Sequence, residues 1–412
     1  MTELKRYTRN PISHFLFLVL AFFFAPILGY LALPAIHAQS NATSPPQFHA
    51  PVRFEFGGNA ADIPAEFVGN RIFLPVRINE SKTSLFELDT AAAASSIDPG
   101  RLEELGLVPD QPPILNLPGV NVPLGALPAI PKKGYTGQVG HRYEGALGDD
   151  FFCCVVVEVN YWRQTVQLYD PSVYKHAGNI VRIPLTFHGG VPVMHAKFVM
   201  TNGRALDAEF VVDTALDASV VFSERYAKEH NIFSSRWKGL PADDAQFNSE
   251  EGVVAGRLAN MHIGPYFATN AIADVSRANV NAGDESKIAG SIGGGILRRF
   301  TVVFDYPHQQ MILDANLRIR EDDREDMSGL TLIARGPGLR TFEVLHLKSG
   351  SPAASAGIQK GDVIAAINDE PAADMTLDSV RNLFRQLGAE YKLTVEHGGQ
   401  TRQVMLKMRH LM

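Results

Sequence analysis

Cysteine is nearly missing from the sequence: 412 residues hold two, and they are neighbours, Cys153 and Cys154. Adjacent cysteines are poorly placed to bridge each other or to close a loop, so packing alone must hold the fold. No His/Cys cluster at ligand spacing accompanies them, and they read as small apolar residues after "DDFF" rather than as a reactive thiol or a metal site. Charge is also sparse, at 20% of residues, and 38 basic against 44 acidic side chains leave a net charge of −6. No basic stripe runs along the chain, which removes the electrostatic case for nucleic acid. Signatures of other chemistries are lacking as well. There is no H-E-x-x-H, the 13 histidines are scattered, and a lone S-x-x-K (Ser172, Lys175) sits in a connector without companion motifs. "GSIGGGIL" is glycine-rich but has neither the lysine nor the strand-to-helix spacing of a phosphate loop. Neither a metal nor an organic cofactor is implied.

What is present is apolar. Hydrophobic residues make up 45% of the chain, enough for two or three ordinary domains. The first forty residues differ from the rest: Lys5, Arg6 and Arg9 precede "FLFLVLAFFFAPILGYLAL" at 15–33, and "AIHAQS" places Ala38 at a plausible cleavage point. Residues 1–38 therefore read as a signal peptide or an N-terminal inner-membrane anchor. The run approaches the roughly 20 residues that span a bilayer, while Pro26 and Gly29 interrupt it and favour cleavage. No cysteine lies nearby, which removes a lipoprotein. The expected location is periplasmic or secreted, or anchored to the inner membrane, with 39–64 as an N-terminal segment.

An internal repeat carries the chemistry. "LDTAAAASSI" (88–97) matches "VDTALDASVV" (212–221), and both contain D-T-A-x-x-A-S. Each copy follows two alternating apolar stretches, "RIFLPVRIN" then "SLFEL" in one and "AKFVM" then "DAEFVV" in the other, which predicts a hairpin delivering the Asp. Further on, "GALGDDFFCCVVVEVNYWRQTVQL" (145–168) lies without gaps on "GSIGGGILRRFTVVFDYPHQQMIL" (290–313). The second match pairs Gly148 with Gly293, Tyr161 with Tyr306 and Leu168 with Leu313. Each copy reads as strands, an Asp-bearing loop, a variable middle, an apolar-Gly turn, a short helix and two closing strands.

An isolated buried carboxylate costs several kcal/mol, so Asp213 at the end of "AEFVV" needs a partner. These residues resemble the aspartic protease superfamily, specifically bacterial retropepsin-like proteins with two lobes fused in one chain. The resemblance covers about residues 65–316 and rests on the two Asp-Thr-Ala loops, the two apolar-Gly motifs and the strand pattern around them. It implies mainly β architecture: two retropepsin-like acid-protease β-barrel lobes at 65–175 and 176–316, with Asp89 and Asp213 as the catalytic pair beneath a cleft closed by a flap. Carboxylates about 3 Å apart cannot both ionise readily, so they share a proton and divide general acid and base work between them. Thr90 and Thr214 offer short hydroxyls that can tie the loops together. Ala91 and Ala215 stand where the family usually has glycine, each adding a methyl at a tight point. The alternative function is therefore a degenerate peptide-binding or scaffolding protein. The implied partners are a peptide or protein substrate, and the lobes pair within one chain or, as in dimeric retropepsins, between two. The Pro- and Gly-rich "PPILNLPGVNVPLGALPAIPKKGY" is where a flap would lie, with Tyr135 as a possible contact, or is an ordinary surface loop.

After the repeats, "LRIREDDREDMSG" is charge-dense and reads as a solvated linker, taken as 317–327. From 328 to 412, "SPAASAGIQKGDVIAAIN" and the amphipathic, capped "TLDSVRNLFRQLG" resemble an α+β PDZ domain. In the helix, Leu377, Val380, Leu383, Phe384 and Leu387 share a face and Gly388 ends it. The resemblance implies a peptide groove along Gly329, Leu330, Thr331, Leu332 and Val380, with amides around Gly329 and Leu330 taking a terminal carboxylate. Thr331 departs from the second glycine of the family's carboxylate loop. A module that only packs on the lobes is the other reading.

Overall fold

The computed structural model describes residues 51–55, 58–107, 112–176, 181–233, 254–276 and 287–411. The expected leader and most of the polar connections around 240–253 and 279–286 lie outside the described residues. Among the described residues no helix is long and apolar enough to cross a membrane.

The chain is mainly β. The first half builds an eight-stranded sheet in which Arg71–Ile78 runs antiparallel to Ser84–Leu88, and Ser84–Leu88 lies parallel to Gly145–Leu147. The second half repeats this local topology: Val191–Met200 pairs with Ala205–Val212, which lies parallel to Ile288–Ile292. Phe86 stands opposite Gly145 as Phe210 stands opposite Gly290, and Leu88 opposite Leu147 as Val212 opposite Ile292. Val191–Met200 also pairs with Val254–Ile263, which closes the second sheet into a barrel.

A six-stranded antiparallel sheet joins the halves. The hairpin Val156–Asn160 and Thr165–Tyr169 pairs through Val157 opposite Phe304 with the hairpin Phe300–Asp305 and Gln310–Ala315. These are the strands expected to close each repeat. Their alternating apolar residues feed a core that is continuous from Ala61 to Leu313. Residues 327–408 have a second core, built on the sheet Leu330–Arg335, Thr341–Leu347, Val363–Ile367, Glu390–His397 and Gln400–Lys407 and on the helix Leu377–Phe384. That helix opens with a reciprocal Thr376/Ser379 capping box, which satisfies two terminal amides at once. It ends at Phe384, earlier than its apolar spacing suggested. Leu387 is exposed, and Gly388 (φ 77°) belongs to the turn that follows.

The charge-dense segment is only partly solvated. Asp323 and Glu325 are buried; Asp323 pairs with the fully buried Arg299 at 3.0 Å and accepts the Ile272 amide at 2.9 Å. Glu325 takes His410 at 2.7 Å and Arg257 at 3.8 Å. Acidic side chains on this stretch neutralise the desolvated Arg299, just before the strand Phe300–Asp305, and Arg257 of the second barrel, and through Glu325 they hold His410 of the C-terminal domain. Losing one partner of such a pair leaves an uncompensated buried charge.

The expected flap region forms a hairpin, Ile114–Leu117 with Val120–Pro123, whose Leu115, Leu117, Val120 and Val122 are buried in the core and whose first strand pairs with Arg77 and Ile78. Tyr135 is not on this hairpin. It sits half-exposed on the separate helix Lys133–Val139.

Candidate active site

Each Asp-bearing loop is delivered by a buried strand, Ser84–Leu88 or Ala205–Val212, and each Asp donates its amide to the neighbouring parallel strand. Asp89 N–H bonds Leu147 O and Asp213 N–H bonds Ile292 O, both at 3.0 Å. The loops then lock together through Thr90 and Thr214, both fully buried. Thr90 Oγ1 donates to Val212 O at 2.7 Å and accepts the Thr214 amide at 3.0 Å. Thr214 Oγ1 reciprocates, donating to Leu88 O at 2.6 Å and accepting the Thr90 amide at 3.1 Å. Residues 124 apart in sequence are thereby held as a two-fold pair.

The backbone behind each loop explains the paired glycines. A Cβ on Gly148 would stand 2.6 Å from Ala92 O, and one on Gly293 would stand 2.4 Å from Ala218 O. The alanines at the third loop position are accommodated. Neither Ala91 nor Ala215 has positive φ, and each donates its amide to its own aspartate Oδ1, at 3.0 and 2.9 Å. Ala91 packs on Val191, Val193, Val211 and Ile288 of the opposite half, so its methyl is a contact and not a clash.

Both carboxyls are half-buried and both are pushed up from the usual aspartate range. Burial is the larger cause. Asp213 is raised to about 7 by burial and then by the charge of Asp89, so the two carboxyls titrate against each other. On Asp89, burial is opposed by the Lys132 ammonium and by the amides of Ala91 and Ala92. Lys132 is itself lowered by burial, while its ammonium donates to Ser96 Oγ at 3.0 Å. Burial and mutual repulsion thus raise both members, and the two carboxyls hold one proton between them.

Sequence comparison of the repeats passed over a charged cluster beside this pair. Arg71 and Glu87 form an ion pair at 2.7 Å with Glu87 buried, and the charge of Glu87 acts on the neighbouring Tyr143 hydroxyl. Burial raises Glu87 to about 7 against the pull of Arg71, and Asp89 adds to the rise. In the second repeat the matching strand positions are Val191, Val211 and Ile288. One flank of the aspartate pair is therefore an apolar wall and the other a Glu-Arg-Tyr set. The signal was in the sequence: Glu87 interrupts an otherwise apolar strand two residues before Asp89.

Asp217, four residues past Asp213, is a second residue the motif did not single out. It accepts the Asn70 amide at 2.8 Å, its carbonyl accepts Asn70 Nδ2 at 2.8 Å, and Arg385 of the C-terminal domain approaches it at 3.8 Å. Cys153 and Cys154 are half-buried with sulfurs 3.1 Å apart. In the C-terminal groove, Thr331 and Leu332 lie on the edge strand and Val380 is buried on the facing helix. The Leu330 amide, expected to meet a ligand carboxylate, already donates to Ser328 Oγ at 3.0 Å. Among the described residues no group of three His, Cys, Asp or Glu side chains is set to hold a metal ion.

Residues 343–396 match the family model for the PDZ domain, and the C-terminal part of the chain is a PDZ domain, a fold that binds peptides. No curated protein sequence matches the chain. Among solved structures, the photosystem II D1 C-terminal processing protease is 22% identical over 21% of this chain and 23% of its own, with a TM-score of 0.19. A PDZ domain protein from Parabacteroides distasonis is 25% identical over 21% of this chain and 20% of its own, with a TM-score of 0.19. A retropepsin-like aspartic protease from Rickettsia conorii is 20% identical over 34% of this chain and 96% of its own, with a TM-score of 0.23. The chain thus spans less than a quarter of the length of the first two.

Proposed function

We propose that the chain is an aspartic endopeptidase of two retropepsin-like lobes in one polypeptide, exported by its N-terminal segment and carrying a PDZ domain that binds peptide segments. The observation that carries the reading is the reciprocal Thr90/Thr214 clasp, which brings two Asp loops together with their carboxyls in mutual electrostatic contact. In this mechanism Asp89, ionised, accepts a proton from the attacking water while Asp213, protonated, donates one to the scissile carbonyl oxygen. The tetrahedral diol then collapses: the C–N bond breaks, the amine leaves with the proton held by Asp89, and a diol hydroxyl returns a proton to Asp213. Atoms and charge balance without a metal or organic cofactor.

Asp213 at about 7 implies that the monoprotonated pair persists to near-neutral pH and that activity falls as pH rises through that value. The test is mass-spectrometric profiling of a diverse peptide mixture between about pH 3.5 and 8, a span bracketing the titration of such a pair, with Asp213→Asn beside the native protein. Cleavage by the native chain and none by the variant supports the reading. Intact peptides throughout, from folded protein, would reject it and leave the Asp loops as a scaffold.

A further inference from the structure

In a PDZ domain a peptide adds alongside one strand and beneath one helix; here those walls are the edge strand Leu330–Arg335 and the helix Leu377–Phe384. Part of the same chain already lies against both. The helix Lys133–Val139 packs on Leu330–Arg335. Gly137 has no room for a side chain, since a Cβ would stand 2.8 Å from Ala334 O and 3.1 Å from Ile333 Cγ1. Gly140, which ends the helix with φ 73°, would place a Cβ 2.5 Å from Leu377 Cβ. Arg381 Nη2 donates to Gln138 O at 2.9 Å and to Leu332 O at 3.2 Å, so one guanidinium ties the helix to both walls. What remains open is a cavity of about 300 Å³ between Leu330, Leu332 and Arg381 on one side and Val139 and Asp217 on the other.

The occupying helix is built to leave. Seven residues make under two turns, too few to be stable alone, and no side chain caps its first amides. It is therefore held by the groove, not by itself. Its attachment also reaches the aspartate loops. The Lys132 amide donates to Asp98 Oδ2 at 2.8 Å and its ammonium to Ser96 Oγ, on the strand that closes the Asp89 loop.

We propose that the Lys133–Val139 helix is a built-in occupant of the PDZ groove, that a peptide with an apolar C-terminal side chain binds by displacing it, and that the displacement loosens the Asp89 loop through Lys132. The competition for the groove stands on the PDZ fold alone; only its consequence for turnover rests on the peptidase reading. Hydrogen exchange of the full chain, with and without a mixture of hexapeptides ending in Val, Leu, Ile or Phe, reads it without any cleavage assay. Binding is expected to raise exchange at 133–140 and at 96–98. Gly137→Leu keeps helix propensity but collides with the Ala334 carbonyl, and Gly140→Ala, whose Cβ would stand 2.5 Å from Leu377 Cβ, pushes the same helix off the groove should the first variant misfold. Either is expected to bind the peptides at least about tenfold more tightly, since removing an internal competitor raises the binding-competent fraction. Equal affinity in native and variant proteins, binding with unchanged exchange at 133–140, or no binding to any form would overturn the proposal. Loss of peptidase activity alone would leave it standing.

Discussion

Thr90→Val is the sharpest perturbation of the aspartate pair that leaves both carboxyls in place. Valine matches threonine in shape, so no cavity opens, but the Oγ1 bonds to Val212 O and from the Thr214 amide are lost. A buried carbonyl and a buried amide are left without partners, each costing roughly 1–3 kcal/mol. The expected loss is about 2–6 kcal/mol, large against the margin of an ordinary domain. Thr214→Val should cost a similar amount by stranding Leu88 O and the Thr90 amide. Because each hydroxyl serves the other loop, the double variant should lose less than the sum of the singles, with a coupling of roughly 1–3 kcal/mol. Guanidinium unfolding, read by hydrogen exchange at residues 84–92 and 208–216, separates this from the PDZ core. Single losses below about 0.5 kcal/mol, in the range of ordinary surface substitutions, or strict additivity would refute the clasp.

Three further outcomes follow from the buried charges. Asp213 carries a raised pKa in the fold, so its contribution to stability is fully present below its unfolded value and is lost as pH rises through about 7. Asp213→Asn should therefore flatten the decline of melting temperature between about pH 4 and 7, with the residual slope belonging to Glu87 and Asp89; an unchanged slope contradicts the shift. Arg71→Met leaves Glu87 buried without its cation and should cost about 3–5 kcal/mol at pH 8, less at pH 5 where Glu87 is protonated, measured by denaturant unfolding at both values. Asp323→Ala should release Arg299 and detach the C-terminal segment, seen as raised exchange at 317–327 and a loss of about 3–5 kcal/mol; protection equal to the native protein would count against the pinned connection.

The repeat made the aspartate loops legible because it compares like with like: D-T-A-x-x-A-S occurs twice, and the glycines behind the loops fall in register. The same comparison hid the Arg71, Glu87 and Tyr143 set, whose counterparts are Val191, Val211 and Ile288, since matching residues draw attention and mismatched ones do not. Glu87 was visible only as a charge in an apolar strand, where its partner sixteen residues away cannot be read from spacing. The segment 317–327 misled for the converse reason. A charge run ordinarily marks a solvated face, but burial depends on what stands opposite, and here the buried Arg299 waits at the edge of the joining sheet. The helix over the PDZ groove joins residues some two hundred positions apart by close glycine contacts, and glycines in a Pro- and Gly-rich stretch read as turns.

The most direct test of the shared proton is carboxyl NMR of the protein labelled with ¹³C at aspartate side chains, titrated from about pH 3 to 9, a range that spans both members of a coupled pair. Assignment comes from Asp89→Asn and Asp213→Asn. The structure predicts two coupled titrations, the upper near 7, with the survivor in either variant titrating alone and Asp213 falling when the Asp89 charge is removed. Two independent titrations near 4, each indifferent to loss of the other, would contradict a paired active site.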